Sequence, residues 1–265
     1  MTNQAIACFT FDNMGEAADV GAGLVAGVQH QAIHPSLERG FPNLFALLAR
    51  HGIRATFFIE GWNGDHHPEA VGEIIRRGHE LGMHGWVHEA WGGLDPEREA
   101  QLARRATEAL ARAAGVRPRG FRAPGGARSA HTEAILARLG YAYDASLGDG
   151  MRPQVLPSGL PQVPFVWQGV DGFYYLREQP VDPAVVRDGW LRTLARVAEA
   201  GGLFLTICHA FITGVDDARL AALDAIMAAA VSDKRVVICT AGEIAAKLLG
   251  AAAVVPEPEA DGREP

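Results

Sequence analysis

Short, almost uninterrupted apolar runs alternate with longer amphipathic ones along all 265 residues, and this alternation leaves the chain few folds to choose from. The apolar runs are "AIACFTF" (5–11), "IRATFFI" (53–59), "GFRA" (120–123), "LFLTIC" (203–208) and "RVVIC" (235–239), rich in β-branched and aromatic residues. Strands covered on both faces read this way, because neither face meets water. Between them, "FPNLFALLARHG", "HPEAVGEIIRRGHELG", "DPEREAQLARRATEALARAAG", "HTEAILARLG", "DPAVVRDGWLRTLARVAEAGG" and "ARLAALDAIMAAA" carry helical patterns. Several open at Asp-Pro, His-Pro or Phe-Pro and stop at Gly, as helix ends do. Repeated strand–helix alternation predicts an α/β fold with a parallel sheet, open or closed into a barrel. Residues 1–250 are expected to form one domain. Residues 251–265 are expected to be a disordered tail, on the composition of "VVPEPEADGREP".

Charge and cysteine usage narrow the partners. A net charge of −7 with no basic run argues against nucleic acid and anionic membrane. No apolar run is long enough to span a bilayer, and no basic-then-apolar leader precedes the first strand, so the expected location is the cytoplasm. Cys8, Cys208 and Cys239 each lie in a strand-like run and are odd in number. They read as reduced core residues rather than a disulfide framework. A homo-oligomer is compatible with an apolar, tryptophan-containing surface.

In such a fold the residues just past the C-terminal ends of the strands face the active site. That rule selects Asp12 and Asn13 after the first strand, Glu60 after the second, and His84 and His88 after the short segment "HELGM". It also selects Arg122 in "GFRA" and His209 after "LFLTIC". His84 and His88 are spaced so that one helical turn would set both imidazoles on one face, able to share a zinc-type ion. Each feature alone has a plainer reading: a turn for Asp12–Asn13, a tight loop for Arg122, a hydrogen-bonded core histidine for His209. Their occurrence together, each at a strand end, favours chemistry.

Taken in order, these residues resemble the motifs of the polysaccharide deacetylase (NodB-homology, carbohydrate esterase family 4) superfamily. "TFDN" at Thr10–Asn13 is similar to Thr-Phe-Asp-Asp, with the last position changed. Gly78–Glu80 precedes His84 and His88 as Gly-His-Glu precedes His-x-x-x-His. Arg122, Pro124 and Gly126 match Arg-x-Pro-x-Gly, Tyr143–Ser146 matches Tyr-Asp-x-Ser, and "LFLTICH" ends in His209. The resemblance implies a distorted (β/α) barrel and a hydrolase of C–N bonds other than peptide bonds. It implies Asp12 as general base, Arg122 as the cation that holds and orients it, and His209 as general acid toward the leaving amine. It also implies a divalent ion on His84 and His88, with Asn13 at the third ligand position. Zinc is the first expectation for that ion, with cobalt or nickel as alternatives.

At Asn13 the chain departs from the motif, since an amide oxygen offers a dication no charge. Three readings stay open: Asn13 as a weaker ligand, Glu60 as a substitute, or operation without metal, as implied by likeness to a bacterial allantoinase. Two segments bear on substrate. Residues 14–41 are longer than the usual link after the first motif and read as a lid. "YDASLGDGMRPQVLPSGLPQVPFVWQGVDGFYYL" and "HAFITGVDDARLAAL" resemble the allantoinase and cyclic-imide-hydrolase-like branch. That resemblance favours a small N-acyl or cyclic amide substrate over a polymer. An N-acetyl-sugar deacetylase and a non-catalytic binding protein are the alternatives. Glu60, Trp86, Pro124, Gly126, Asp144 and Trp167 are expected around the substrate.

Overall fold

The computed structural model describes residues 4–27 and 33–252. Nine strands form one sheet: β1 (Ala5–Asp12), β2 (Thr56–Ile59), β3 (Glu80–Met83), β4 (Gly120–Phe121), β5 (Tyr143–Asp144), β6 (Gln154–Val155), β7 (Pro161–Gln162), β8 (Gly202–His209) and β9 (Val236–Ile238). Their order is β6-β7-β5-β4-β3-β2-β1-β8, and every pairing is parallel except β6 with β7. β1 pairs along its whole length with β8, while its other edge is shared by β9 at Ala5–Ala7 and β2 at Thr10–Asp12. A single parallel bridge, Val170 to Ile207, joins the chain beyond β7 to β8 and completes the ring. The fold is a distorted (β/α) barrel.

Among the described residues, ten α-helices surround it: α1 (Ala17–Gly21), α2 (Phe41–His51), α3 (Trp62–His66), α4 (Pro68–Arg76), α5 (Pro96–Ala114), α6 (Thr132–Arg138), α7 (Asp171–Tyr175), α8 (Pro183–Ala200), α9 (Asp217–Ser232) and α10 (Ala241–Ala252). The Asp-Pro openings are N-caps in fact: Asp95 accepts from the Glu97 and Arg98 amides, and Asp182 from that of Ala184. The segment "HELG", which continued a helical pattern in the sequence, is instead β3. α4 ends at Arg76, and Gly78 at φ 80° turns the chain into the strand. Residues 253–265 and 28–32 lie outside the described residues, so the expected tail and the middle of the 14–41 segment fall there. No helix among the described residues is long and apolar enough to cross a membrane.

Two apolar cores follow from the period of two along each strand. Ala7, Phe9, Phe11, Phe57, Ile59, Met83, Phe121 and Phe204 pack outward against the helices. Ile6, Cys8, Phe58, Tyr143, Ala145, Leu205 and Ile207 fill the barrel, with Ala241, Ile244 and Ala245 of α10 beside them. Counting on by two along the inner face leads to Asp12, Glu60, Arg122 and His209 at the strand ends, with His84 in phase just past Met83. The chemistry is thus the continuation of the inner core.

Candidate active site

Asp12 and His209 are register partners on the neighbouring strands β1 and β8. Each has its own buried companion. The Arg122 Nη1 donates to Asp12 Oδ1 at 2.7 Å and to Thr10 Oγ1 at 2.9 Å, and its Nε donates to the Ala145 carbonyl at 2.9 Å. Its guanidinium also lies 4.1 Å over the Phe58 ring. The pair is 1% and 4% exposed, so the carboxylate is held by a cation fixed at four points, where water does not compete.

On the opposite side His209 Nδ1 donates to Asp171 Oδ1 at 2.5 Å, leaving Nε2 for the cavity. Asp171 is fully buried and also accepts from the His209 amide, the Gly172 amide and the Thr213 hydroxyl. Burial alone would push the His209 imidazole down. The Asp171 carboxylate outweighs it, with Asp12 and Glu60 adding to the pull, and the ring is held above its ordinary value. Sequence reasoning missed Asp171. Its only local signal is an Asp-Gly between aromatic residues, and its partner is 38 residues away.

His84 sits past β3 and donates from Nδ1 to the Arg122 carbonyl at 2.8 Å. A carbonyl only accepts, so in the neutral ring Nε2 carries the lone pair, and it lies 3.9 Å from Asp12 Oδ2. The His88 ring centroid is 5.0 Å from that of His84. The expected helical turn between them is not there. Residues 85–87 form an irregular turn in which Gly85 and His88 are left-handed, at φ 73° and 64°. Glu89 pins this turn by accepting from the Trp86 and Val87 amides. Burial pushes His84 down to about 3 and lowers His88 too, so both present neutral nitrogen.

Asn13 takes a left-handed backbone, φ 67°, which asparagine tolerates better than most residues. Its Nδ2 donates to Glu60 Oε1, which leaves Oδ1 as the atom of the amide that could act as a ligand. Glu60 is wholly buried and also accepts from the Met14 amide and Asn63 Nδ2, each at 3.1 Å. Burial drives its carboxyl up to about 8 despite these donors. Two neutral imidazoles and an amide oxygen suit a borderline divalent ion in kind. No three His, Cys, Asp or Glu side chains among the described residues converge as a metal-binding group.

A cavity of about 370 Å³ opens over these residues. Asp12, His84, His88, Arg122 and His209 form its polar part. Ala123, Gly125, Gly126, Phe165, Trp167, Val170, Gly172, Phe173, Leu176 and Ile207 form the rest. Of the residues expected around substrate, Gly126 and Trp167 line it. Glu60 lies behind Asn13, and Pro124 packs beside Gly85. Trp86 turns outward, where the Arg105 guanidinium covers its ring at 3.6 Å. Asp144 is out of phase with Tyr143 and Ala145 and so leaves the barrel. There it accepts from the Ser146 hydroxyl, which in turn accepts from the Ala123 amide and braces the Arg122 loop. None of the described residues of 14–41 lines this cavity, part of whose wall comes from residues 165–176, and the middle of the expected lid lies outside the described residues.

The barrel and the strand-end set together define a protein of the deacetylase type. The polysaccharide deacetylase family model matches residues 2–143, more than half of the chain, and the chain belongs to that family. It is 32% identical over 147 residues to a peptidoglycan deacetylase-like protein of Gibberella zeae and 30% over 129 residues to a peptidoglycan deacetylase of Helicobacter pylori. These matches cover 54% and 49% of the chain but only 40% and 41% of the relatives. Among solved structures, one from Mycobacterium smegmatis that carries the polysaccharide deacetylase name superposes with a TM-score of 0.86 and 29% identity, over 99% of this chain and 96% of that one. An allantoinase superposes with a TM-score of 0.78 over 97% of this chain and 93% of its own, and at 20% identity it speaks for the fold alone.

Proposed function

We propose that the protein hydrolyses the amide bond of a small N-acyl or cyclic amide. The observation that carries this is the base–acid pair: Asp12 and His209 opposite each other in register, each bound to a buried partner of opposite charge. A carboxylate paired with a buried cation and an imidazole paired with a buried carboxylate suit the proton acceptor and the proton donor of one reaction. Asp12 takes a proton from water at the cavity floor, with Arg122 holding the carboxylate in place. The oxygen adds to the amide carbon. His209, protonated and held by Asp171, gives its Nε2 proton to the nitrogen as the C–N bond breaks, leaving a carboxylic acid and an amine. A divalent ion, zinc first, would be held by His84 and His88 with Asn13 Oδ1, and when bound it supplies polarisation of the carbonyl and acidification of water.

The compact cavity, with apolar walls beyond the reacting groups, favours a small substrate over a polymer. The relatives named as peptidoglycan deacetylases favour a second reading, removal of an acetyl group from an amino sugar. Release of acetate from N-acetyl amines and from N-acetylglucosamine, and ring opening of cyclic ureides, would be measured with zinc and with chelator. Turnover abolished by both Asp12→Ala and His209→Ala is expected. Turnover that survives both substitutions would refute the assignment.

A further inference from the structure

The segment that positions the acid also builds the wall beside it. Asp171, which holds His209 Nδ1, stands between Val170 and Gly172, and the same stretch brings Val170, Phe173 and Leu176 to the cavity. Val170 bridges Ile207, two residues before His209 on the same inner face. Trp167 meets Phe165 edge to face at 5.5 Å, and Phe211 lies edge to face with the His209 ring, also at 5.5 Å. Beyond the proposed reacting residues, no charged side chain among the described residues lines this cavity. Trp167 and Leu176, which line the cavity, are 42% and 67% exposed, and Phe211, against the His209 ring, is 37% exposed, so large apolar groups stand at the surface around the cavity and the proposed acid.

A sugar amine would bring several hydroxyls to this wall, and each would lose water without gaining a side-chain partner. An alkyl or arylalkyl group would cover the exposed rings and lose nothing polar. Building on the proposed amide hydrolysis, we infer that the leaving amine of the substrate carries an apolar, uncharged substituent. Residues 165–176 select it, with Leu176 and Phe173 as the outer specificity determinants.

The test is a homologous series, N-methyl- to N-hexylacetamide, set against N-acetylglucosamine. It uses the full chain and Leu176→Asn, with acetate release for turnover and calorimetry for binding. Each methylene that reaches the wall is expected to raise kcat/KM, and to lower Kd, by about 4-fold. Leu176→Asn should flatten that slope, and Phe173→Ser should do the same if the first variant folds poorly. A higher kcat/KM for N-acetylglucosamine than for N-hexylacetamide would overturn the inference and leave the hydrolase reading standing. A Kd that falls along the series with no acetate released would support the apolar site and overturn the hydrolase reading for these amides. A flat series in both measurements, or a slope that both variants leave intact, would overturn the inference.

Discussion

Removing the cation beneath the base should be far more damaging than removing both charges. Arg122→Leu takes away three donated hydrogen bonds and leaves Asp12, 4% exposed, without the cation bonded to it, beside a neutral His84 nitrogen at 3.9 Å that donates nothing. Stranding a buried charge in this way costs about 4 kcal/mol. Asp12→Asn keeps the shape and gives up one charge-assisted bond, about 2 kcal/mol. In the double variant no charge is stranded. What is lost is the pair of bonds to the Thr10 hydroxyl and the Ala145 carbonyl, about 1 kcal/mol each, or about 2 kcal/mol together. The singles then sum to roughly 6 kcal/mol against roughly 2 for the double, a coupling of about 3 to 4 kcal/mol. Guanidinium unfolding of the four proteins, followed by tryptophan fluorescence, measures it. Additivity to within about 0.5 kcal/mol would refute the ion pair as the element that holds Asp12.

Three further outcomes are expected. The acid must be protonated, so kcat/KM falls as pH rises through the His209 value; Asp171→Asn removes the charge that raises this value and should move the alkaline limb to lower pH, and an unmoved limb would separate Asp171 from catalysis. Glu60, raised to about 8, is neutral at pH 7 and can donate to a carboxylate at position 13, so Asn13→Asp should tighten zinc on the order of tenfold, by calorimetric titration; an unchanged affinity would place the third ligand elsewhere. His79, stacked on Phe45 and accepting from the Ala55 amide, is held by burial at about 4. Its contribution is complete above the unfolded value of 6.5 and is lost as pH falls toward 4, about 3 kcal/mol, so His79→Phe should flatten the acid side of the stability curve measured by urea midpoints.

The long strands and helices were legible because their signals are local. β1 and β8 are eight-residue apolar runs, and α5 has a capping Asp, a first-turn Pro and a closing Gly115. β4 showed as "GFRA", but β5, β6 and β7, two residues each, are too short for any periodicity to register. Strand-end position picked out Asp12, His84, His88, Arg122 and His209, which line one cavity, and strand parity could have done more. It separates Arg122 and Tyr143, which face inward, from Asp144, which does not. Asp171 and the wall of Phe165, Val170, Phe173 and Leu176 were illegible for a different reason. They become neighbours of the site only when the chain beyond β7 crosses to β8, and nothing local encodes that crossing.

The register pairing of Asp12 with His209 has a consequence for how such a protein can change. The spacing between proton acceptor and proton donor is set by two adjacent main chains, about 4.8 Å apart and tied along eight residues, so it is inherited with the sheet. The stretch proposed to meet the substrate, residues 165–176, joins the ring through the bridges Leu147–Phe165 and Val170–Ile207 and through the bonds of Asp171 to His209. On the proposed function, the spacing of the reacting pair and the choice of substrate then rest on different residues, with Asp171 common to both. Residues 165–170 and 172–176 could be exchanged with those of a relative, Asp171 kept, and the reaction would travel unchanged to a new amine.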